Sequence, residues 1–198
     1  MVKILIIIGE SGVGKDTLLK ELINNKIIDE DIISTTSRPM RNGEKEGREY
    51  YFISKEEFVN KINNNEFIEQ RIYNTVNGDW YYGVSKNNNV DFNSNKTYGV
   101  ILDYNGYVEY SKWLKENHRF DCRFENIFLY EPLQERLKRS ITREGTMTDK
   151  QCLEVCRRMI KDNEEIGIHI DDCNHVLISD DKHKEYNLNY IKELLEEM

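Results

Sequence analysis

The sequence predicts an α/β fold in which a mainly parallel sheet is covered by helices on both faces. Strand-like and helix-like stretches alternate along the chain, which is the pattern of such sheets. Residues 4–8 are all aliphatic, as expected of a strand buried on both sides. A glycine-rich turn leads directly from them into a helix that carries Leu18, Leu19 and Leu22 on one face.

The turn reads GESGVGKDT and occupies residues 9–17. A strand, this glycine loop and a helix, in that order, form the context in which G-x-x-x-x-G-K binds phosphate. The loop backbone points successive N–H groups at one anion, and the helix N-terminus adds its positive dipole end. Lys15 brings a full charge to the outer phosphates. We therefore predict a P-loop nucleotide site formed by Gly9, Glu10, Ser11, Gly12, Val13, Gly14, Lys15, Asp16 and Thr17.

A carboxylate follows the loop lysine. That position usually holds Ser or Thr, whose hydroxyl binds Mg²⁺, but here it is Asp16, and Thr17 comes next. A carboxylate beside phosphates repels them unless a metal ion lies between the two. The hypothesis is that Mg²⁺ is a cofactor and that Asp16 and Thr17 are its protein ligands.

Length and charge restrict the function. A chain of 198 residues fits one domain, or one domain with small inserted lobes. The formal net charge of −8 argues against a nucleic-acid-binding surface, which needs a basic footprint. No apolar stretch reaches the ~20 residues that a bilayer requires, and the N-terminus runs into the first strand without a signal peptide. We expect a cytoplasmic protein with no nucleic-acid or membrane partner.

The four cysteines are too few for a disulfide framework in a chain of this length, so we expect them to be reduced. Cys152, Cys156, His169 and Cys173 have a spacing that would allow a zinc set. The favoured alternative is that the cysteines are small buried helix residues, because zinc motifs usually place paired cysteines on tight turns.

The first half of the chain predicts a small α+β lobe inserted in the larger unit. Residues 37–49 are polar and contain Pro39 and two glycines, which predicts a loop. Ser54 and Glu57 form a capping box that opens a helix, and Asn77-Gly78 is typical of a type I′ hairpin turn. The predicted strands are residues 32–36, 50–53, 67–73 and 80–84.

The second half predicts further core elements. Pro132 is assigned to the first position of a helix, and Thr148 and Gln151 form a second capping box. The other predicted helices cover residues 106–117 and 186–197. The predicted strands cover residues 97–102, 126–130 and 175–179, and Asp103 follows the first of them.

The polar loop predicts a second anion site. Arg38 and Arg41 lie three residues apart on a segment that Pro39 and Gly43 constrain. Paired guanidinium groups bind a phosphate dianion through several N–H donors, and Tyr50 can add a further hydrogen bond. In an acidic chain this cluster indicates a binding site for a phosphorylated acceptor.

Three stretches, in this order, resemble the guanylate kinase family: STTSRPMRNGEKEGREYYFIS, NNEFIE and YYG, at residues 34–54, 64–69 and 81–83. REGT at residues 143–146 and Arg158-Met159 are similar to the lid of that family. The resemblance implies a P-loop core of residues 1–33 and 97–198 with a helical lid at about 135–160. It also implies that residues 34–96 form an inserted nucleoside-monophosphate-binding lobe.

The resemblance also implies roles for single residues. The implied acceptor phosphate ligands are Arg38, Arg41, Tyr50 and Tyr82. Ser34 and Glu69 would bind guanine, because a carboxylate accepts from N1–H and the 2-amino group together. ATP would bind residues 9–17 and Arg139. The implied catalytic residues are Lys15, Arg38, Arg143, Arg158 and Asp103, of which Asp103 would organise Mg²⁺ or the acceptor.

The implied function is ATP-dependent phosphorylation of GMP and dGMP by a monomer or homodimer. Val84 departs from the family, since a Ser or Thr usually follows Y-Y-G and helps to read guanine. The hairpin at residues 74–79 is longer than usual, and residues 103–106 lack the usual second acidic residue and glutamine. Two alternatives therefore stay open: a related kinase with another phosphorylated acceptor, such as another nucleotide or a phosphosugar, and a non-catalytic binding module of the same fold.

Overall fold

The computed structural model describes residues 1–41 and 43–198, and all of their side chains except those at positions 143, 144 and 165–169. It confirms an α/β fold with a parallel sheet flanked by helices. The strands are β1 Val2–Gly9, β2 Glu30–Asp31, β3 Thr35–Thr36, β4 Tyr51–Phe52, β5 Phe67–Thr75, β6 Gly78–Ser85, β7 Thr97–Ile101, β8 Cys122–Tyr130 and β9 His175–Ile178. The helices are α1 Lys15–Asn24, α2 Lys55–Asn63, α3 Tyr104–Asn117, α4 Leu133–Glu144, α5 Asp149–His169 and α6 Lys184–Glu197.

The main sheet has the order β2-β7-β1-β8-β9, and every neighbouring pair is parallel. Strand β1 lies at its centre and pairs with β8 from Val2 opposite Cys122 to Gly9 opposite Leu129. In parallel sheets, binding sites lie beyond the carboxyl ends of the strands. The phosphate loop follows β1 directly, so it lies at that edge of the sheet.

Both faces of the central strand are buried, as the sequence predicts. Ile4 and Ile6 pack on the side of α3, in one cluster with Tyr110. Leu5 and Ile7 pack on the opposite side, in a cluster with residues of α1 and α6. Successive strand residues point to opposite faces, so the aliphatic run supplies both cores at once. This packing fixes the position of the phosphate loop.

A second sheet has the order β4-β3-β6-β5 and contains Glu69 and Tyr82 of the predicted site. The predicted single strand at residues 32–36 is wrong, because two short strands replace it. Asp31 pairs with Gly99 in the main sheet, whereas Thr35 pairs with Tyr51 and Gly83 in the second sheet. One continuous run of residues passes between two sheets here, and sequence alternation does not show where pairing changes partner.

The hairpin between β5 and β6 is confirmed, but its predicted turn type is wrong. Thr75 pairs directly with Gly78, so Val76 and Asn77 are the two turn residues. Gly78 has a φ of 99°, and Asn77 does not have a positive φ. A type I′ turn requires positive φ at both central residues.

The helix starts follow local capping chemistry. Ser54 Oγ accepts from Glu57 N at 3.0 Å, and Thr148 N donates to Gln151 Oε1 at 2.8 Å, so both capping positions are confirmed. Pro132 lies one position before the predicted one, as the N-cap of α4. Within the described part of the chain, none of the helices has the length and apolar character needed to span a membrane.

Candidate active site

One cavity of about 250 Å³ contains both predicted anion sites. Lys15 of the phosphate loop lines one part of it, and Arg38 and Arg41 of the polar loop line another. The carboxyl edge of the main sheet, through Asp103, and helix α5, through Arg158, complete the wall. The tertiary structure therefore brings together residues that are more than 100 positions apart.

The phosphate loop is tightly enclosed. Gly12 has a φ of 79°, and a Cβ there would lie 2.8 Å from the carbonyl oxygen of Arg136. A side chain is therefore excluded by space as well as by backbone conformation. Lys15 Nζ donates to the carbonyls of Gly9 at 2.6 Å and Glu10 at 3.0 Å. Burial lowers the pKa of Lys15, although Asp16 and other nearby carboxylates oppose this.

An acidic side chain from α5 contacts the phosphate loop. Asp162 Oδ2 accepts a hydrogen bond from the backbone N–H of Ser11 at 2.6 Å. The same carboxylate lies 3.7 Å from Arg136, which also donates to the carbonyl of Ser11 at 3.3 Å. A backbone N–H of the loop, at a residue that lines the cavity, is therefore bonded to a protein carboxylate in this conformation.

Arg136 joins the loop to α4 from inside the protein. Its side chain is 1% exposed, and its Nη2 lies 2.9 Å from Glu10 Oε1. Its Nε donates to the carbonyl of Glu131 at 3.1 Å. Burial raises the pKa of Glu10 to about 7, although Arg136 acts in the opposite direction. Sequence reasoning missed Arg136, because its pattern is that of any charged helix residue.

Arg38, which the sequence predicts to bind the acceptor phosphate, is bound to a carboxylate. Its terminal nitrogens donate to the two oxygens of Glu44 at 2.7 and 2.8 Å, in a bidentate pair. Burial alone would raise the pKa of Glu44, but the hydrogen bonds from Arg38 and from the backbone of Arg41 lower it overall. The guanidinium also lies over the ring of Tyr50, 5.1 Å from its centroid. A planar anion thus occupies the fork that we assign to a phosphate.

Tyrosines in and next to the second sheet line the cavity: Tyr50, Tyr73 and Tyr82. The rings of Tyr50 and Tyr82 are 5.8 Å apart, and those of Tyr73 and Tyr82 are 5.4 Å apart. Burial raises the pKa of Tyr50 to about 12. Its hydroxyl therefore stays protonated at neutral pH and can donate to an acceptor phosphate.

The two predicted base-binding residues, Ser34 and Glu69, differ in their position relative to the cavity. Ser34 lines the cavity, whereas Glu69 is 1% exposed and lies outside its lining. Arg71 lines the cavity and lies 2.8 Å from Glu69 and 3.1 Å from Asp103. Burial raises the pKa of Glu69 to about 7, although Arg71 lowers it. Asp103 also caps α3 by accepting from Gly106 N at 2.8 Å and receives a hydrogen bond from Tyr73.

The predicted lid arginines divide between two cavities. Arg158 lines the main one and lies 3.8 Å from Glu154, which also pairs with Arg157 at 2.8 Å. Arg139 lies instead in a neighbouring cavity of about 280 Å³, together with Thr17. The side chain of Arg143 lies outside the described residues. The lid contacts that sequence reasoning missed are those of Arg157, Lys161 and Asp162, all on α5.

The two predicted magnesium ligands line different cavities. Asp16 is exposed and lines the main cavity, while Thr17 faces the neighbouring one. Within the described part of the chain, no three His, Cys, Asp or Glu side chains are grouped to hold a metal ion by themselves. The expectation of buried cysteines in α5 is wrong, because Cys152 is half-buried and Cys156 is exposed. The side chain of His169 lies outside the described residues.

The chain is similar to one family over its whole length. The family model for guanylate kinase matches residues 1–198. The guanylate kinase of Clostridium tetani is 34% identical over 182 residues, which are 91% of this chain and 79% of the relative. The guanylate kinase of Bacteroides fragilis strain YCH46 is 32% identical over 197 residues, 98% of this chain and 90% of the relative.

A solved structure agrees with these relatives. The crystal structure of guanylate kinase from Anaplasma phagocytophilum superimposes with a TM-score of 0.66 at 25% identity, covering 98% of this chain and 84% of that chain. Family model, relatives and fold therefore confirm the family that the sequence motifs indicate. This chain belongs to the guanylate kinase family.

Proposed function

We propose that this chain transfers the γ-phosphoryl group of ATP to the phosphate of GMP and dGMP. The observation that carries the proposal is the single cavity that Lys15 lines together with Arg38 and Arg41. A donor site and an acceptor site in one cavity are what direct phosphoryl transfer requires, because catalysis depends mainly on positioning and charge stabilisation. Family membership supports the same reaction.

On the donor side, the phosphate loop and Lys15 bind the ATP phosphates. Lys15 is bonded to two loop carbonyls in this conformation, so it is held at the cavity and exchanges these acceptors for phosphate oxygens. Arg158 approaches from α5, where its charge stabilises the transferred group. Arg139 and Thr17, in the neighbouring cavity, contact the remainder of the donor nucleotide.

The donor site fits Mg²⁺ held by one carboxylate and the nucleotide. Asp16 is an exposed oxygen ligand beside the loop, and Mg²⁺ in kinases is usually bound through one or two carboxylates together with substrate phosphates. When bound, the ion neutralises charge on the donor phosphates. Asp16 is the described residue that is best placed to hold it. Thr17 faces away from this cavity and contributes less.

On the acceptor side, Arg38 is pre-positioned for a phosphate. The two oxygens of Glu44 mark where phosphate oxygens bind, because both anions accept two parallel N–H bonds. Tyr50 donates a further hydrogen bond, since its hydroxyl stays protonated. Closure of α5 over the cavity excludes water from the transferred group.

An ADP-release assay tests the proposal. ATP is supplied with GMP, dGMP, AMP, UMP or a phosphosugar, and ADP formation is measured. We expect turnover with GMP and dGMP. Turnover only with another acceptor would support the related kinase, which Val84, fully buried and without a hydroxyl, favours. Absence of turnover with all acceptors, together with nucleotide binding, would contradict catalysis.

Substitution of the loop lysine separates donor from acceptor functions. Lys15→Ala should reduce kcat by about 100-fold or more, since one electrostatic stabiliser is lost. GMP affinity, measured by calorimetry, should stay within about threefold of the wild-type value, because Lys15 contacts the donor nucleotide and not the acceptor. Lys20→Ala is the control, because Lys20 lies on the same helix and is 61% exposed. Equal losses in both variants would contradict the role of Lys15.

A further inference from the structure

The base end of the cavity is lined by an arginine rather than by the carboxylate expected there. Arg71 lines the cavity, and Glu69, whose side chain is fully buried, does not. The guanidinium thus stands between Glu69 and the space where a nucleotide base would lie. Val84 is also fully buried and offers no side-chain hydrogen bond.

Three neighbours hold this guanidinium in place. Arg71 Nε lies 2.8 Å from Glu69 Oε2, and Nη2 donates to Glu69 Oε1 at 3.1 Å. Nη1 lies 3.1 Å from Asp103 Oδ1. The plane of the group rests against Gly106, where a Cβ would come within 3.1 Å of Arg71 Cζ. Two carboxylates and one glycine therefore fix the orientation of Arg71.

The remaining donors of Arg71 are available to a ligand. A guanidinium has five N–H groups, two of them on each terminal nitrogen. The contacts with Glu69 and Asp103 use one on each terminal nitrogen. Within the described part of the chain, a second N–H on each of these nitrogens has no protein acceptor. This leaves a pair of donors on the group that lines the cavity.

We propose that Arg71 contacts the base of the acceptor nucleotide and selects a 6-oxopurine through its O6 and N7 acceptors. Paired donors of arginine recognise O6 and N7 of guanine, which is the most frequent specific arginine contact to a base. Glu69 and Asp103 are positioning residues in this arrangement, because both carboxylates hold the guanidinium. Glu69 does not line the cavity, and Asp103 also accepts hydrogen bonds from Gly106 N and from Tyr73. The inference rests on the proposed function of the same site.

This recognition differs from reading by a carboxylate in one measurable way. Hypoxanthine shares O6 and N7 with guanine and lacks only the 2-amino group. Arg71 therefore accepts GMP and IMP alike, whereas a carboxylate that binds N1–H and the 2-amino group would favour GMP. Adenine presents an N6 donor toward the guanidinium and is rejected.

Binding of GMP, IMP and AMP to the wild-type chain, measured by calorimetry, tests the inference without any substitution. We expect GMP and IMP affinities within about threefold of each other and AMP weaker by about tenfold or more, since a bidentate contact discriminates by this amount. IMP binding that is weaker than GMP binding by about 30-fold or more would overturn the inference. It would indicate that Glu69, rather than Arg71, recognises the base. Binding of none of the three would overturn both this inference and the proposed function.

Turnover measurements distinguish a failure of the proposed function from a failure of this inference. GMP and IMP that bind equally without ADP release would refute the kinase reaction and leave the base contact supported. Equal turnover with GMP and AMP would refute the base contact and leave the phosphoryl transfer intact.

Arg71→Met removes the donors and keeps much of the side-chain length. We expect it to weaken GMP and IMP alike, by about 10- to 100-fold, and to leave AMP unchanged. Arg119→Met is the matched control, because Arg119 is exposed in the turn after α3 and lies outside the cavity. An unchanged GMP affinity in folded Arg71→Met would overturn the inference. If this variant does not fold, the wild-type series still decides.

Discussion

The pair formed by Arg38 and Glu44 gives the sharpest quantitative prediction. Glu44 binds the arginine that we assign to the acceptor phosphate, through two hydrogen bonds of 2.7 and 2.8 Å. The carboxylate therefore acts as an internal substitute for the phosphate. Glu44→Gln keeps the shape and one acceptor oxygen but removes the charge. The substitution should lower the free energy of unfolding of the GMP-free protein and strengthen the binding of GMP.

The size of the effect follows from burial. The side chain of Arg38 is 3% exposed and that of Glu44 is 16% exposed. Losing one partner of a buried ion pair costs about 3–5 kcal/mol, and a hydrogen bond to a charged group contributes about 1.5–3 kcal/mol. Because Gln retains one oxygen and Glu44 is partly exposed, we expect the free energy of unfolding to fall by about 2 kcal/mol.

Urea unfolding with and without GMP measures both parts of the prediction. GMP returns an anion to Arg38, so saturating GMP should stabilise the Gln variant more than the wild-type chain, by about 2 kcal/mol. This corresponds to GMP binding tighter by about 30-fold. Glu66→Gln is the control, because Glu66, which is 40% exposed, pairs with Lys61, which is 33% exposed. Its effect should be about 1 kcal/mol or less, with no change in GMP binding.

Equal stabilisation of both chains by GMP would refute the reasoning. It would mean that Glu44 stays bound to Arg38 while the phosphate binds. In that case Glu44 orients the guanidinium in both states and is not displaced.

Three further predictions concern the loop and the base end of the cavity. Glu10→Gln should flatten the pH dependence of stability: a carboxyl whose pKa is raised to about 7 stabilises most at low pH and loses this contribution as pH rises from about 4.5 to 7. Asp162→Asn should lower KM for ATP by about tenfold, because a charge that accepts from Ser11 N at 2.6 Å no longer repels phosphates. Gly106→Ala should weaken GMP binding severalfold, since its Cβ would lie 3.1 Å from the Arg71 guanidinium. The loss in Tm should stay within about 4 °C, because alanine is a better helix former than glycine and offsets part of the clash.

Each of these has a decisive measurement. The Tm of Glu10→Gln and of the wild type is measured from pH 4.5 to 8. The wild-type Tm should fall relative to that of the variant as the pH rises, and parallel plots of Tm against pH would contradict the burial argument. For Asp162→Asn, KM for ATP is measured by steady-state kinetics. Asp171→Asn, at an exposed position, is the control for the loss of one negative charge. A drop in Tm well beyond the expected range for Gly106→Ala would show a packing defect rather than a shift of Arg71.

Local sequence determined the phosphate loop and the helix starts. The loop depends on consecutive residues between a strand and a helix, so the glycines, Lys15 and their neighbours predict it directly. Ser54 and Thr148 cap their helices through contacts three residues away. The aliphatic run of β1 predicted a sheet covered on both faces, because each successive residue must face one of two cores.

Strand pairing could be predicted less well. The segment around residues 30–36 looks like one strand, but it pairs in two sheets. The register of a strand depends on its partners, which the residues of the segment do not encode. For the same reason, the alternation in β5 did not show that Arg71 would line the cavity and that Glu69 would lie behind it.

The sequence by itself determined the family, the two anion-binding segments and the chemistry of their side chains, because these depend on short motifs. Only the tertiary structure decided which charges meet. Ser11 and Asp162 are 151 residues apart, and Arg71 of the second sheet meets Asp103 at the N-terminus of α3. Such contacts form when helices and sheets pack into one core, so the partner of each buried charge is fixed by the fold rather than by its neighbours in the chain.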